Sequence, residues 1–385
     1  MWLMILGIVL FVLLIILHEY GHFLVAKRNG VEVEEFGVGF PPKLFGKKLG
    51  KGIFEGYYTV NLLPLGGFVR LKGEEDAATE KGSFGSVGTK AKLRIMLAGV
   101  AVNLVAALVF FMIVAWAGMP QIIPNQFTVK SDSTVLRSDV FAGYVDPGSP
   151  AANSGIQNGD TIVSIDGSPI KNDDDLRAAT TANAGKVVTI VYASDGTQKT
   201  TTAQLLSEQE VAASKQTDSP KGYLGVVPRE YTLLRSTWSA PIVAVGISAQ
   251  LTGLTLKALG EAVYNLFAAF FSVITGDTQG AKQEASKAGK DVSGPVGIFA
   301  ILQQGADLGY QFILFVVAVL SLTLAIMNFL PIPALDGGRA FVMLLFKALK
   351  KPLSADTEAR IHGTGFALLM VLFVVITVVD IRRFY

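Results

Sequence analysis

His18, Glu19 and His22 stand in a run of chain that is otherwise hydrocarbon, for residues 2–16 are all apolar or glycine. A run of that length and character predicts a membrane-spanning helix with the three polar residues in its second half. Titratable groups at such depth are costly to hold, because little water is there to solvate them, and they are usually retained for function. On a helix, His18 and His22 share one face about 6 Å apart along the axis, so both imidazoles reach one ion. Glu19 follows the first histidine directly. This H-E-x-x-H order lets two neutral imidazoles bind zinc while the glutamate serves as general base toward a water on the ion. The bland alternative is a pair of histidines lining a polar seam between helices, with Glu19 as their partner.

A catalytic zinc site needs three protein ligands and one open position. The sequence has no cysteine, and its only histidines are His18, His22 and His362, so a carboxylate or His362 must finish the site. The extended motif with a third histidine six residues on is absent, since that position is Arg28. The candidates are Glu32, Glu34, Glu35, Glu55, Asp336 and His362, and Asp336 is favoured. It follows Asn328-Phe329-Leu330-Pro331-Ile332-Pro333, where two prolines break an apolar helix and freed backbone can line a cavity. An Asp-Gly turn closing a span is the other reading of Asp336. Asn103, the one polar residue inside another apolar run, must face protein: a metal ligand, a substrate backbone or a neighbouring helix. Asn328 is expected to orient the ligand or to hold a substrate strand.

Positioning these residues is a task for a membrane scaffold. Mean hydropathy is +0.47, and 51% of the 385 residues are hydrophobic, which fits a multi-span protein of more than one domain. A net charge of +2 gives no argument for nucleic acid. The lack of cysteine excludes disulfides and thiolate metal sites. Residues 1–17 lack a basic leader and a small-residue cleavage site, so the segment is expected to be kept as a helix. Four transmembrane helices are expected, over 1–29, 94–118, 310–338 and 363–381. The loops between them at 30–93 and 339–362 are rich in Lys and Arg, which places both in the cytoplasm and brings Asp336 to the depth of His18. Short β-prone runs punctuated by Gly and Pro predict strands and hairpins in 30–93. Residues 127–228 have the composition of a soluble domain, with a polar helix near Asp173 and strands at 187–192 and 198–205. Within 240–292, the stretch 240–275 is apolar but broken by Gly246, Gly253, Lys257, Gly260 and Glu261. Parity of the spans then favours one or two interfacial amphipathic helices over 240–275, followed by a polar linker.

Within the soluble stretch, Gly143-Tyr144-Val145-Asp146-Pro147-Gly148-Ser149-Pro150-Ala151-Ala152 is followed by Gly159-Asp160 and Asp166-Gly167. This order resembles a PDZ domain, a fold that binds peptide termini or strands at a sheet edge. Gly222-Tyr223-Leu224-Gly225-Val226 resembles the carboxylate-binding loop of a circularly permuted version. Together with His18-Glu19-Tyr20-Gly21-His22, the 328–338 segment and Ser293-Gly294-Pro295-Val296-Gly297-Ile298, the chain resembles the site-2 protease family of intramembrane metalloproteases. The likeness is to the bacterial regulator-of-sigma-E type with one PDZ domain, and it covers nearly the whole sequence.

That resemblance implies Zn2+ held by His18, His22 and Asp336, with Glu19 catalytic. It implies a multi-span α-helical membrane protein with a membrane-associated β-hairpin loop that guides substrate and an inserted extracytoplasmic PDZ-like α+β domain. It further implies a bacterial inner (plasma) membrane location, with the active site toward the cytoplasmic side. The partners implied are the lipid bilayer and single-span membrane proteins already shortened by another protease, such as anti-sigma factors or signal-peptide remnants. Two positions depart from the family pattern: Val100 in Gly99-Val100-Ala101-Val102-Asn103 replaces the usual proline, and Pro41 stands where glycine is frequent. Two rivals are a membrane scaffold with a structural zinc site and a working PDZ domain, and a metal or proton transporter.

Overall fold

The computed structural model describes residues 2–194, 196–216, 220–289 and 294–384. Ser293 of the quoted run and residues 290–292 of the expected linker lie outside them. The chain divides into two compact units, residues 1–114 with 239–385, and residues 115–238.

The first unit opens with α1 (Trp2–Arg28), about 40 Å long at 1.5 Å per residue and so longer than a bilayer core. Its buried face carries Leu14, His18, Gly21 and His22, spaced by three and four. Lys27 and Arg28 suit the negative end of the helix. Gly30, at φ +78°, then turns the chain, with Val31 N–H donating to Ala26 O at 3.0 Å. Next come β1 (Val33–Leu49) and β2 (Gly56–Leu71), an antiparallel pair of 17 and 16 residues. These are longer than the short strands expected. The glycines read as strand ends mark register shifts instead, so the ladder continues past them. Residues 36–38 pair on both sides, with Tyr58, Thr59 and Val60 and with Gly67, Phe68 and Val69, so the ribbon curls on itself. Phe36 of the ribbon meets Tyr20 and Phe23 of α1 edge-on, and Tyr58 meets Phe23 at a tilt, all at ring separations of 5.8 Å. Burial of these rings fixes the ribbon against the helix beside Glu19.

A short α2 (Thr89–Met96) and α3 (Ala98–Ala117) follow, joined at Leu97. Gly21 permits a close crossing of α1 and α3, since a Cβ there would stand 2.9 Å from Val102 Cγ2.

The second unit is a seven-stranded antiparallel sheet. It comprises β3 (Met119–Pro120), β4 (Thr134–Val145), β5 (Thr161–Ile165), β6 (Ser168–Pro169), β7 (Val187–Ser194), β8 (Thr197–Gln204) and β9 (Val226–Arg235). Their order is β3-β9-β4-β5-β7-β8, with β6 on β5. The helices α4 (Pro150–Asn153), α5 (Asp173–Ala182) and α6 (Glu208–Ser214) each begin at a side-chain cap, from Ser149, Asn172 and Ser207. Asp166 and Gly167, both at positive φ, make the tight turn from β5 to β6. The apolar core gathers Val140, Ile156, Ile162, Ile165, Leu176, Val188, Ile190 and Leu205.

Back in the first unit, α7 (Ala240–Ile274) runs unbroken for 35 residues, and α8 (Thr278–Gly289) occupies the place of the expected linker. Gly246, Gly253 and Gly260 were expected to interrupt this stretch. A glycine costs a helix only about 1 kcal/mol, and the surrounding aliphatic and alanine residues carry all three. Five helices among the described residues are thus long and apolar enough to cross a bilayer, where four were expected. Then come α9 (Pro295–Gly305), α10 (Tyr310–Phe329), α11 (Asp336–Ala348) and α12 (Ala355–Phe384). The third span is therefore not one segment over 310–338. Pro331 and Pro333 end α10 at Phe329, and Asp336 becomes the first residue of a new helix rather than the tail of the old one. Likewise 339–362 is largely helical, made of α11 and the start of α12. A shared core of Phe23, Ala26, Phe36, Phe84, Ile95, Met96, Ala340 and Met343 ties α1, the ribbon, α2 and α11 together.

Candidate metal centre

Three side chains from two distant stretches meet in the first unit. His18 Nε2 lies 3.1 Å from Asp336 Oδ2, His22 Nε2 lies 3.2 Å from the same oxygen, and the two Nε2 atoms are 3.3 Å apart. Both histidines are 7% exposed. Among the described residues this is the one group of three or more His, Asp or Glu with ligand atoms converging within 4.8 Å. Although Oδ2 is close to both rings, it is buried with no hydrogen bond of its own. With both Nε2 atoms deprotonated, this oxygen and the two rings would turn three lone pairs toward a common ion. A tetrahedral face with ligand atoms about 2.0–2.1 Å from a zinc centre has edges of about 3.3 Å. The observed triangle matches that size, so the residues present fit the ion.

The surrounding hydrogen bonds set which ring nitrogen is free. His22 Nδ1 donates to Ile95 O at 2.7 Å, which leaves its Nε2 lone pair for an ion. The Asn103 amide stands 3.1 Å from His18 Nδ1. Ion binding at His18 Nε2 requires the proton on Nδ1, and hence an oxygen opposite it. Asn103 Oδ1, buried and unpaired with the amide nitrogen turned to the ring, supplies that oxygen when the amide rotates by half a turn. Ser321 on α10 holds the Asn103 backbone, donating to its carbonyl at 2.8 Å.

Glu19 is half-buried, near enough to His18, His22 and Asp336 to feel their charges, with the Val69 backbone facing its carboxylate. A Cβ at Gly67 would stand 3.4 Å from Glu19 Cγ, so β2 runs directly beside the catalytic candidate. Asn328, near the end of α10, is half-buried, and its side chain makes no hydrogen bond among the described residues. The remaining ligand candidates are engaged elsewhere or exposed. Glu32 pairs with Lys72, Glu35 with Thr59 and Arg70, and Glu55 with Lys48, while Glu34 faces outward. His362 Nδ1 accepts from Ala334 N–H at 3.2 Å.

Gly99 is the residue that sequence reasoning passed over. It was noted within a motif and given no task, yet a Cβ there would stand 2.5 Å from His22 Nε2 and 2.6 Å from His18 Nε2. Only a bare backbone fits against the two rings. The available signal was its position one turn before Asn103, which puts both on the face of α3 turned to the histidines.

Comparison with known proteins agrees with this geometry. The model of peptidase family M50 matches residues 6–372. The chain belongs to peptidase family M50. A Clostridium perfringens relative named as a zinc metalloprotease is 32% identical over 96% of this chain and 95% of its own. One from Clostridium acetobutylicum, named likewise, is 31% identical over 98% and 96%. The zinc metalloprotease RasP of Shouchella clausii is 27% identical over 98% of each chain. The site-2 protease resemblance read from the motifs is thereby borne out, as is the class of enzyme. This M50 member is a membrane protein and a metalloprotease by family, and zinc is the metal its relatives' names state.

Proposed function

We propose that this M50 chain hydrolyses peptide bonds within the transmembrane segments of single-span membrane proteins. In this reading His18, His22 and Asp336 hold zinc, and Glu19 moves the proton. The observation that carries it is the convergence of two imidazoles and one carboxylate at ligand spacing between apolar helices, with a second carboxylate adjacent. When bound there, zinc supplies Lewis acidity toward the scissile carbonyl and lowers the pKa of water to about 7. Glu19 accepts the proton of the attacking water and returns it to the leaving amine. His22, locked by Ile95 O, and His18, locked by Asn103, keep their lone pairs on the site throughout.

A helical substrate hides its carbonyls in its own hydrogen bonds, so it must unwind first. Asn103 is already committed to His18. This leaves Asn328 and the ribbon backbone beside Glu19 to hold the unwound strand, the ribbon by adding it to a sheet edge.

The same reading assigns four crossing helices, α1, α3, α10 and α12, and lays α7 at the interface. Lys257 and Glu261 in the middle of α7, and its length of about 52 Å against a bilayer core of about 30 Å, support that assignment. Basic residues after α1 and after Asp336 support a bacterial inner-membrane orientation with the site toward the cytoplasm. The second unit is then the extracytoplasmic PDZ-like domain. It excludes intact ectodomains or reads new C-termini at residues 222–226, so that proteins pre-cleaved outside, such as anti-sigma factors or signal-peptide remnants, are the substrates of regulated intramembrane proteolysis.

Glu19→Gln is expected to lower cleavage of a model span by about 10²–10⁴-fold while zinc content, measured on the purified protein, stays that of the wild type. Undiminished cleavage defeats the scheme.

A further inference from the structure

We propose that His362 is a positioning residue for the Asp336 ligand, acting through the turn that delivers it. The inference rests on the reading of His18, His22 and Asp336 as the zinc set.

Asp336 begins α11 directly after the proline-broken segment, so the preceding turn decides where its carboxylate sits. That turn comprises Ile332, Pro333, Ala334 and Leu335, closed by Leu335 N–H donating to Ile332 O at 3.1 Å. Proline second and a positive φ third are the marks of a type II turn, whose third position favours glycine or asparagine. Here the third residue is Ala334, at φ +83°. Its Cβ disfavours that conformation, so something outside the turn must hold it.

Two contacts from α12 do so. The N–H of Ala334 has no partner inside the turn and donates to His362 Nδ1 at 3.2 Å. Three residues on, Gly365 lies so close to Pro333 that a Cβ would stand 2.5 Å from its carbonyl oxygen. Residues three apart share one helix face, so His362 and Gly365 grip the adjacent residues 334 and 333 together. Asp336 follows two residues later and must hold one oxygen within 3.1–3.2 Å of two rings. A turn free to relax would carry that oxygen away. His362, weighed from sequence as a ligand, thus serves the ligand set one step removed.

The test measures zinc affinity of the full-length protein by competition with a chromophoric chelator. His362→Ala is expected to weaken zinc binding about tenfold, at the lower end of what outer-shell partners contribute. His362→Asn, whose side-chain oxygen can take the place of Nδ1, should stay within about threefold of wild type. Adding Ala334→Gly to His362→Ala should recover most of the loss, because glycine takes a positive φ without an external hold. Wild-type affinity in His362→Ala, or a loss that neither asparagine nor the added glycine recovers, overturns the assignment. Asp336→Ala is the separate control: if it keeps wild-type affinity, the ligand reading itself has failed.

Discussion

Several buried polar groups of the two units work over very different ranges of sequence, although Ser83 and Ser248 of the first unit also bond locally, to Glu80 O and Ala244 O. In the second unit Ser149 receives Ala152 N–H, Asp160 receives Gln157 N–H, and Thr180 and Ser214 donate to Leu176 O and Val211 O, all three or four residues away. In the first, His22 reaches Ile95 across 73 residues, His18 reaches Asn103 across 85, Ser321 reaches Asn103 across 218, and Glu358 receives the Asp76 N–H across 282. Local bonds shape the element that makes them. Long-range bonds hold one element against another, and only these can fix where a ligand stands. Loss of a locally bonded polar group, as in the sheet unit, should therefore cost stability, and loss of a long-range one beside the triad should cost chemistry.

That contrast can be broken at several points. The largest effect is expected from Gly99→Ala, whose methyl would occupy the space beside both Nε2 atoms. Zinc content of the purified protein should fall to background, and wild-type content would show that α3 does not seal the site. Asn103→Leu comes next, since it removes the partner of His18 Nδ1. Chelator competition should show zinc affinity about 10–100-fold weaker, with secondary structure by circular dichroism unchanged. The smallest is Asn172→Ala in the sheet unit, where the side chain caps α5 by accepting from Asp175 N–H at 2.8 Å. Thermal denaturation should report a loss of about 0.5–2 kcal/mol with zinc content unaltered. A change in zinc content there would blur the division between the units.

The same contrast explains what could be read in advance. The spacing of His18 and His22 is local to one helix and was legible, as was the cap-bounded helix Asp173–Ala182. Asp336 was reachable by elimination, since few acids lie beside a broken apolar helix. Gly99 was not legible as a site residue, because its task depends on how α3 rotates against α1, and that is set by the crossing at Gly21 and Val102. Whether 240–275 forms one helix or two was left open, because the glycines of α7 look like breaks when each is weighed alone. The length of the ribbon was missed because the glycines that bend it also look like ends. His362 was visible only as a histidine, and its partner is a backbone N–H that no side-chain pattern announces.

Gly99 leaves one flank of the triad closed by main chain, with no side chain to swing aside. Inhibitors that seize the zinc through a chelating group would have to enter by a route other than that flank, and the peptide being cut faces the same restriction. Such compounds should behave as competitors of the peptide, and resistance to them should arise along that common route rather than at position 99.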